Sequence, residues 1–168
     1  MKDGRNDPPD PAGEFPFVAP VYFLYLATLV VHHREDRLEK ALRAQGRTLA
    51  EFRVLRVAEH TKDCTMGEIS QFTMIDRTTL TRVVDRLVAK GLIARSESSG
   101  DRRKVILTVT NDGLAAYMVA RKIVELEGLA LMDGLSDQEI RGATRFLSRI
   151  VEKFARDQEQ FERFLWTR

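Results

Sequence analysis

Arginine and threonine crowd the stretch RTTLTRVVDRLVAKG, which runs from Arg77 to Gly91. Wound at 3.6 residues per turn, it puts Leu80, Val83, Val84, Leu87 and Val88 in one sector. Thr78, Thr81, Arg82, Asp85 and Ala89 fall opposite, flanked by Arg77, Thr79 and Arg86. Arg carries a fork of donors that suits guanine edges, and Thr suits bases, methyl groups or phosphates. A helix with an apolar back and an Arg/Thr front is what a major groove admits. Threonine is a poor interior helix former, so three within Thr78–Thr81 cost local stability with no packing return. An ordinary amphipathic surface helix has the same periodicity, and the neighbouring elements must decide between the two.

The second chemical stretch is SSGDRRK, Ser98 to Lys104, too small and polar to be core. Asp101 can hydrogen-bond or ion-pair with Arg103 and hold it in place. An arginine on a thin hairpin fits a narrow minor groove, where negative potential is enhanced. Arg102 and Lys104 suit phosphates, which fix position without reading sequence. Arg95, just before the tip, belongs to the same patch. Between Arg77 and Lys104, eight Lys or Arg face three acids, a local charge of +5 in a chain of net charge +2. Such a patch is an electrostatic footprint for phosphate.

These residues need elements to position them. Residues 1–16 are rich in Pro, Gly and charge and are expected to be a poorly ordered arm. A helix is predicted from about Phe17 to Ala44, with Pro20 in its first turn and Gly46 as its stop. Its first half is apolar on nearly every side, which in a small protein implies packing against another chain. TLAE (Thr48–Glu51), TMGE (Thr65–Glu68) and SDQE (Ser136–Glu139) read as capping boxes that start helices. The first of these helices is expected to end near His60 and the last near Phe164. Asp76 caps the Arg77 helix, which runs to about Lys90, and Thr110 caps one from Asn111 to about Met132. LIARSE and KVILTVT read as two strands around SSGD. Four helices, a hairpin and two more helices describe a mainly α winged helix-turn-helix with about six helices and a two-stranded wing. The short turn TMI supplies the helix-turn-helix.

Composition bounds the rest. The 168 residues, 43% hydrophobic and 31% charged, suit a globular protein with one core. A single cysteine, Cys64, excludes an intramolecular disulfide and fits a reducing cytoplasm. VYFLYLATLVV is too short to span a bilayer and lacks the flanks of a signal peptide, so no membrane role is expected. No Gly-rich phosphate loop, catalytic triad or metal-ligand set supports an enzyme, and no cofactor is expected. His60 and Cys64, or adjacent His32 and His33, do not make a zinc site.

LTRVVDRLVAKGLIAR, DRRKVILTVT and NDG resemble the multiple-antibiotic-resistance regulator (MarR) family of winged-helix transcription factors. The pieces that carry the resemblance are Thr81-Arg82, Asp85-Arg86-Leu87, Gly91-Leu92-Ile93, Asp101-x-Arg103, Leu107-Thr108-Val109-Thr110 and Gly113. It covers roughly residues 17–164. It implies a homodimer whose interlocking regions are residues 17–46 and 111–168, with a DNA-binding lobe at 47–110. Each subunit would offer one recognition helix, and Arg103 would be the wing arginine with Asp101 as its orienting partner. The implied target is double-stranded DNA, a pseudo-palindromic operator with half-sites about one helical turn apart. The reactive cysteine of oxidant-sensing relatives, near the start of the first long helix, has no counterpart here. An effector pocket between dimer helices and DNA-binding lobe is implied instead, with Tyr22, Tyr25, His32, His33 and Arg53 as lining candidates. Arg53 would suit the carboxylate or phenolate of a small aromatic ligand. The same five residues are equally explained as packing and rim.

The expected function is a ligand-relieved repressor, with a transcriptional activator of the same fold as the alternative. A winged-helix protein-interaction module is a further alternative, but it needs neither the Thr/Arg face nor the wing arginine.

Overall fold

The computed structural model describes residues 19–97 and 105–154. Its elements are α1 (Ala19–Arg43), α2 (Leu49–Thr61), β1 (Cys64–Thr65), α3 (Met66–Thr73), α4 (Arg77–Ala89), β2 (Ile93–Glu97), β3 (Val105–Val109), α5 (Asn111–Leu131) and α6 (Asp137–Glu152). The three capping boxes form as read: the hydroxyls of Thr48, Thr65 and Ser136 accept from the amides of Glu51, Glu68 and Glu139, whose carboxylates reach back. Asp76 and Thr110 cap α4 and α5 through the amides of Thr79 and Gly113. Each cap satisfies backbone donors that a helix start leaves without partners.

One core joins the pieces. Leu38 and Leu42 of α1 and Phe52, Val54 and Leu55 of α2 meet Ile69 of α3 and Leu80, Val83, Val84 and Leu87 of α4. Ile93, Leu107, Ala116 and Ala120 complete it. Phe52 stacks on Tyr117 with ring centroids 5.8 Å apart, locking α2 to α5.

Two expectations are corrected. The sheet has three antiparallel strands in the order β1-β3-β2, where two were expected. Lys62 and Asp63 both adopt positive φ, at 45° and 46°, and so turn the chain out of α2 toward β3. Cys64 then pairs with Leu107 and Thr65 with Ile106, and the Asp63 carboxylate accepts from the Thr108 hydroxyl at 2.7 Å. A two-residue strand carries no alternation that periodicity could detect. The last helix closes at Glu152, not near Phe164: the amides of Lys153 and Phe154 donate to Ile150 and Val151, tightening the final turn. The predicted arm at 1–16 and everything beyond Phe154 lie outside the described residues.

Among the described residues, the apolar first half of α1 stays uncovered. Leu24, Tyr25, Leu29, Val30 and Val31 are exposed, as are Leu126 and Leu129 of α5 and Phe146 and Leu147 of α6. Phe23 meets Phe146 edge-on at 4.8 Å, which brings α6 beside α1. No helix among the described residues is long and apolar enough to cross a membrane.

The wing is bolted to α5 at one junction. Gly91 takes φ +69°, and its carbonyl accepts from the Thr110 hydroxyl at 2.7 Å. Thr110 also donates its amide to Leu92 O at 3.1 Å. Gly113 lies so close that an added Cβ would sit 1.9 Å from Leu92 O. Gly113→Ala is therefore expected to lower stability by about 1–3 kcal/mol or more in urea unfolding, because backbone cannot yield as a side chain does. An unchanged midpoint would contradict the close approach. Cys64 is buried, donates to Leu107 O at 3.5 Å, and has its thiol pushed above the ordinary value by that burial. Since the thiolate is the reactive form, native protein at neutral pH should leave a thiol reagent almost untouched. One equivalent should react once the chain is unfolded, and rapid native labelling would refute the assignment.

Candidate nucleic-acid interface

The turn into α4 uses Met74 in the left-handed region, at φ 54°, as the cap that ends α3. Asp76 then starts α4 two residues later. Its carboxyl is held below the ordinary value, first by the hydrogen bond from the Thr79 hydroxyl and then by the Thr79 amide. Behind this start, Leu80, Val83, Val84 and Leu87 are buried and Val88 is half-buried. Arg77, Thr78, Thr79, Thr81, Arg82 and Arg86 are all exposed. Arg77, Thr78, Thr81 and Arg82 line an open concavity of about 400 Å³. The division of faces expected for this helix is thus present, and four of its six expected contact residues share one hollow.

The far end of α4 is held from below. Lys90 donates to Glu51 Oε1 at 2.7 Å, and the Glu51 side chain is only 3% exposed. Glu51 Oε2 accepts from the Thr48 amide. A carboxylate buried this deeply needs such partners, since an uncompensated buried charge costs several kcal/mol. Its link to Lys90 spans 39 positions, so no local pattern announces it.

Arg95 behaves differently from a lone basic residue. Its guanidinium reaches back from β2 to Asp85 on α4 at 2.5 Å, with both side chains largely exposed. The pair neutralises the one acid on the front of the helix and aligns β2 with α4. Asp85 was visible in the sequence as a front-face residue, but its partner depends on the Gly91 turn folding β2 back. Asp101, Arg102, Arg103 and Lys104 lie outside the described residues. The strands on either side pair Glu97 with Val105.

The five effector candidates are spread along α1 and onto α2. Tyr22 and Tyr25 are neighbours on α1, with ring centroids 6.4 Å apart. His32 and His33 are exposed further along, and His32 Nε2 lies 3.6 Å from the Asp36 carboxylate. Arg53, expected to meet a ligand's anion, is ion-paired with Glu35 of α1. Thirteen residues of helix separate Tyr22 from that Glu35, about 20 Å at 1.5 Å per residue. Arg34 is a missed neighbour: partial burial, and then the charge of Arg53, pushes its guanidinium below the ordinary value. Among the described residues, no group of three or more His, Cys, Asp or Glu is placed to hold a metal ion.

Comparison with known proteins agrees with this geometry. The sequence model of the MarR family matches residues 48–105, from the cap of α2 to the start of β3. The multiple antibiotic resistance protein MarR of Escherichia coli is 33% identical over 96 residues, 56% of this chain and 67% of that protein. The transcriptional repressor MdtR of Bacillus subtilis is 25% identical over 129 residues, 75% of this chain and 81% of that protein. Among solved structures, BpsR of Bordetella bronchiseptica, whose DNA binding is regulated by 6-hydroxynicotinic acid, superposes with a TM-score of 0.69 at 26% identity. The superposition covers 77% of this chain and 98% of BpsR. The chain belongs to the MarR family of winged-helix DNA-binding transcriptional regulators.

Proposed function

We propose that the chain works as a homodimeric repressor that grips a pseudo-palindromic operator and lets go when a small aromatic or phenolic ligand binds. The observation that carries this reading is the α4 front: two arginines and two threonines around one open hollow, over a fully apolar back. Arg77, Thr78, Thr79, Thr81, Arg82 and Arg86 would meet the major groove. Arg103, oriented by Asp101, would enter the minor groove, with Arg102, Lys104 and Arg95 near phosphates.

The dimer is supported by the exposed apolar surface of α1, α5 and α6, which a monomer would leave in water. On this reading residues 17–46 and 111–168 pair with a second copy, and 47–110 form the DNA-binding lobe. Two-fold symmetry then sets half-sites about 34 Å apart. Repression accords with MdtR, and a small aromatic effector accords with BpsR. The effector would act by binding better to the dimer whose α4 helices miss the operator spacing. Tyr22, Tyr25, His32, His33 and Arg53 are proposed to contribute from both subunits, since they are spread along α1 and onto α2.

Selection of bound fragments from the source genome by the purified protein tests the reading and yields the operator. Arg82→Ala should then lose about 1–3 kcal/mol of discrimination at one base position. An equal loss on every sequence would make Arg82 a phosphate contact. Leu129→Arg, on the exposed side of α5, should shift sedimentation from dimer to monomer and abolish tight operator binding. A variant that stays dimeric would place the interface elsewhere.

A further inference from the structure

The threonines of α4 differ in what their hydroxyls do. Thr79 sits against the Asp76 carboxylate: its amide donates there at 2.9 Å and its side chain helps hold that carboxyl below the ordinary value. Thr81 donates its hydroxyl to the Arg77 carbonyl at 2.9 Å. Among the described residues, the Thr78 hydroxyl has no hydrogen-bond partner.

Position along the helix explains the difference. Thr81 is the first threonine of α4 with a helical carbonyl one turn beneath it, because Arg77 opens the helix. The residues four back from Thr78 and Thr79 are Met74 and Ile75, in the turn before the helix. The described threonines with a helical carbonyl four back use it: Thr28, Thr61, Thr73 and Thr144 all bond to the residue four back. A β-branched side chain so bonded has its χ1 set. With its proton engaged, the Thr81 hydroxyl can accept but not donate, so the γ-methyl is the group it is free to offer as an apolar contact beside the hollow it lines with Arg77, Thr78 and Arg82.

We infer that Thr81 is a specificity-determining residue that reads the 5-methyl of a thymine through its own γ-methyl, its hydroxyl being engaged by the Arg77 carbonyl. Polar contacts fall to Thr78, Arg77 and Arg82. Thymine alone among the bases shows a methyl in the major groove, and a threonine methyl is an apolar partner for it. The inference rests on α4 being the helix that enters the groove.

The test compares Thr81→Val, which keeps the methyl, with Thr81→Ser, which keeps the hydroxyl. Each is titrated against selected operator fragments made with thymidine or with deoxyuridine throughout. The wild type should favour thymidine DNA, and Thr81→Val should keep that ratio. Thr81→Ser should reduce it about four-fold per half-site, equivalent to ~0.8 kcal/mol for one buried methyl. Comparing ratios cancels any effect of deoxyuridine on DNA stiffness. A ratio kept by Thr81→Ser or lost by Thr81→Val overturns the inference. If that happens while Arg82→Ala still alters base preference, the recognition-helix reading survives alone. If the wild type enriches no fragment, both readings fall.

Discussion

The Glu51 carboxylate is the constraint on which the DNA-facing half of the molecule depends. One oxygen accepts the Thr48 amide at the start of α2, and the other accepts the Lys90 ammonium just beyond α4. Two residues earlier, the Leu49 amide donates to Glu39 of α1 at 2.8 Å. Three helices thus meet at two neighbouring carboxylates. Because Glu51 is shielded from water, moving Lys90 away would strand a charge in low dielectric. The end of α4 and the start of α2 therefore shift together or not at all. The opposite end of α4 depends on Asp76, an exposed cap that orders the first turn but ties it to no other helix.

A second theme is the division of single helices between two apolar systems. Leu38 and Leu42, near the C-terminus of α1, are fully buried in the core, whereas Leu24 to Val31 are largely exposed. In α5 the order reverses: Ala116, Tyr117 and Ala120 pack inward near its start, and Leu126 and Leu129 face out near its end. Arg37 of α1 meets Glu127 of α5 at 2.8 Å, close to where each helix changes allegiance. The core therefore sets the direction in which both helices carry their uncovered apolar surface away from α4.

Much of this was legible because it is local. Capping boxes need four consecutive residues, and the faces of α4 need only the helical period. Gly91, Thr110 and Gly113 were legible as pieces of a family pattern, though not as one junction. What escaped depends on residues far apart in the chain. The Arg53–Glu35 pair escaped because Glu35 lies 18 positions earlier on another helix. The Arg95–Asp85 pair escaped because nothing near Arg95 signals Asp85. The strand β1 exists only because Lys62 and Asp63 tolerate a left-handed backbone, which their residue types do not announce.

The ion pairs of the basic stretch carry a consequence for how strongly salt weakens DNA binding. Counting Lys and Arg between positions 77 and 104 suggests eight charges available to displace counterions. Lys90 and Arg95 already face Glu51 and Asp85, so each brings only a partly compensated charge to the phosphates. The slope of log affinity against log salt follows the number of phosphates neutralised, at about 0.9 per contact. It should be shallower than the composition implies. A larger share of the affinity would then come from contacts that ionic strength does not weaken.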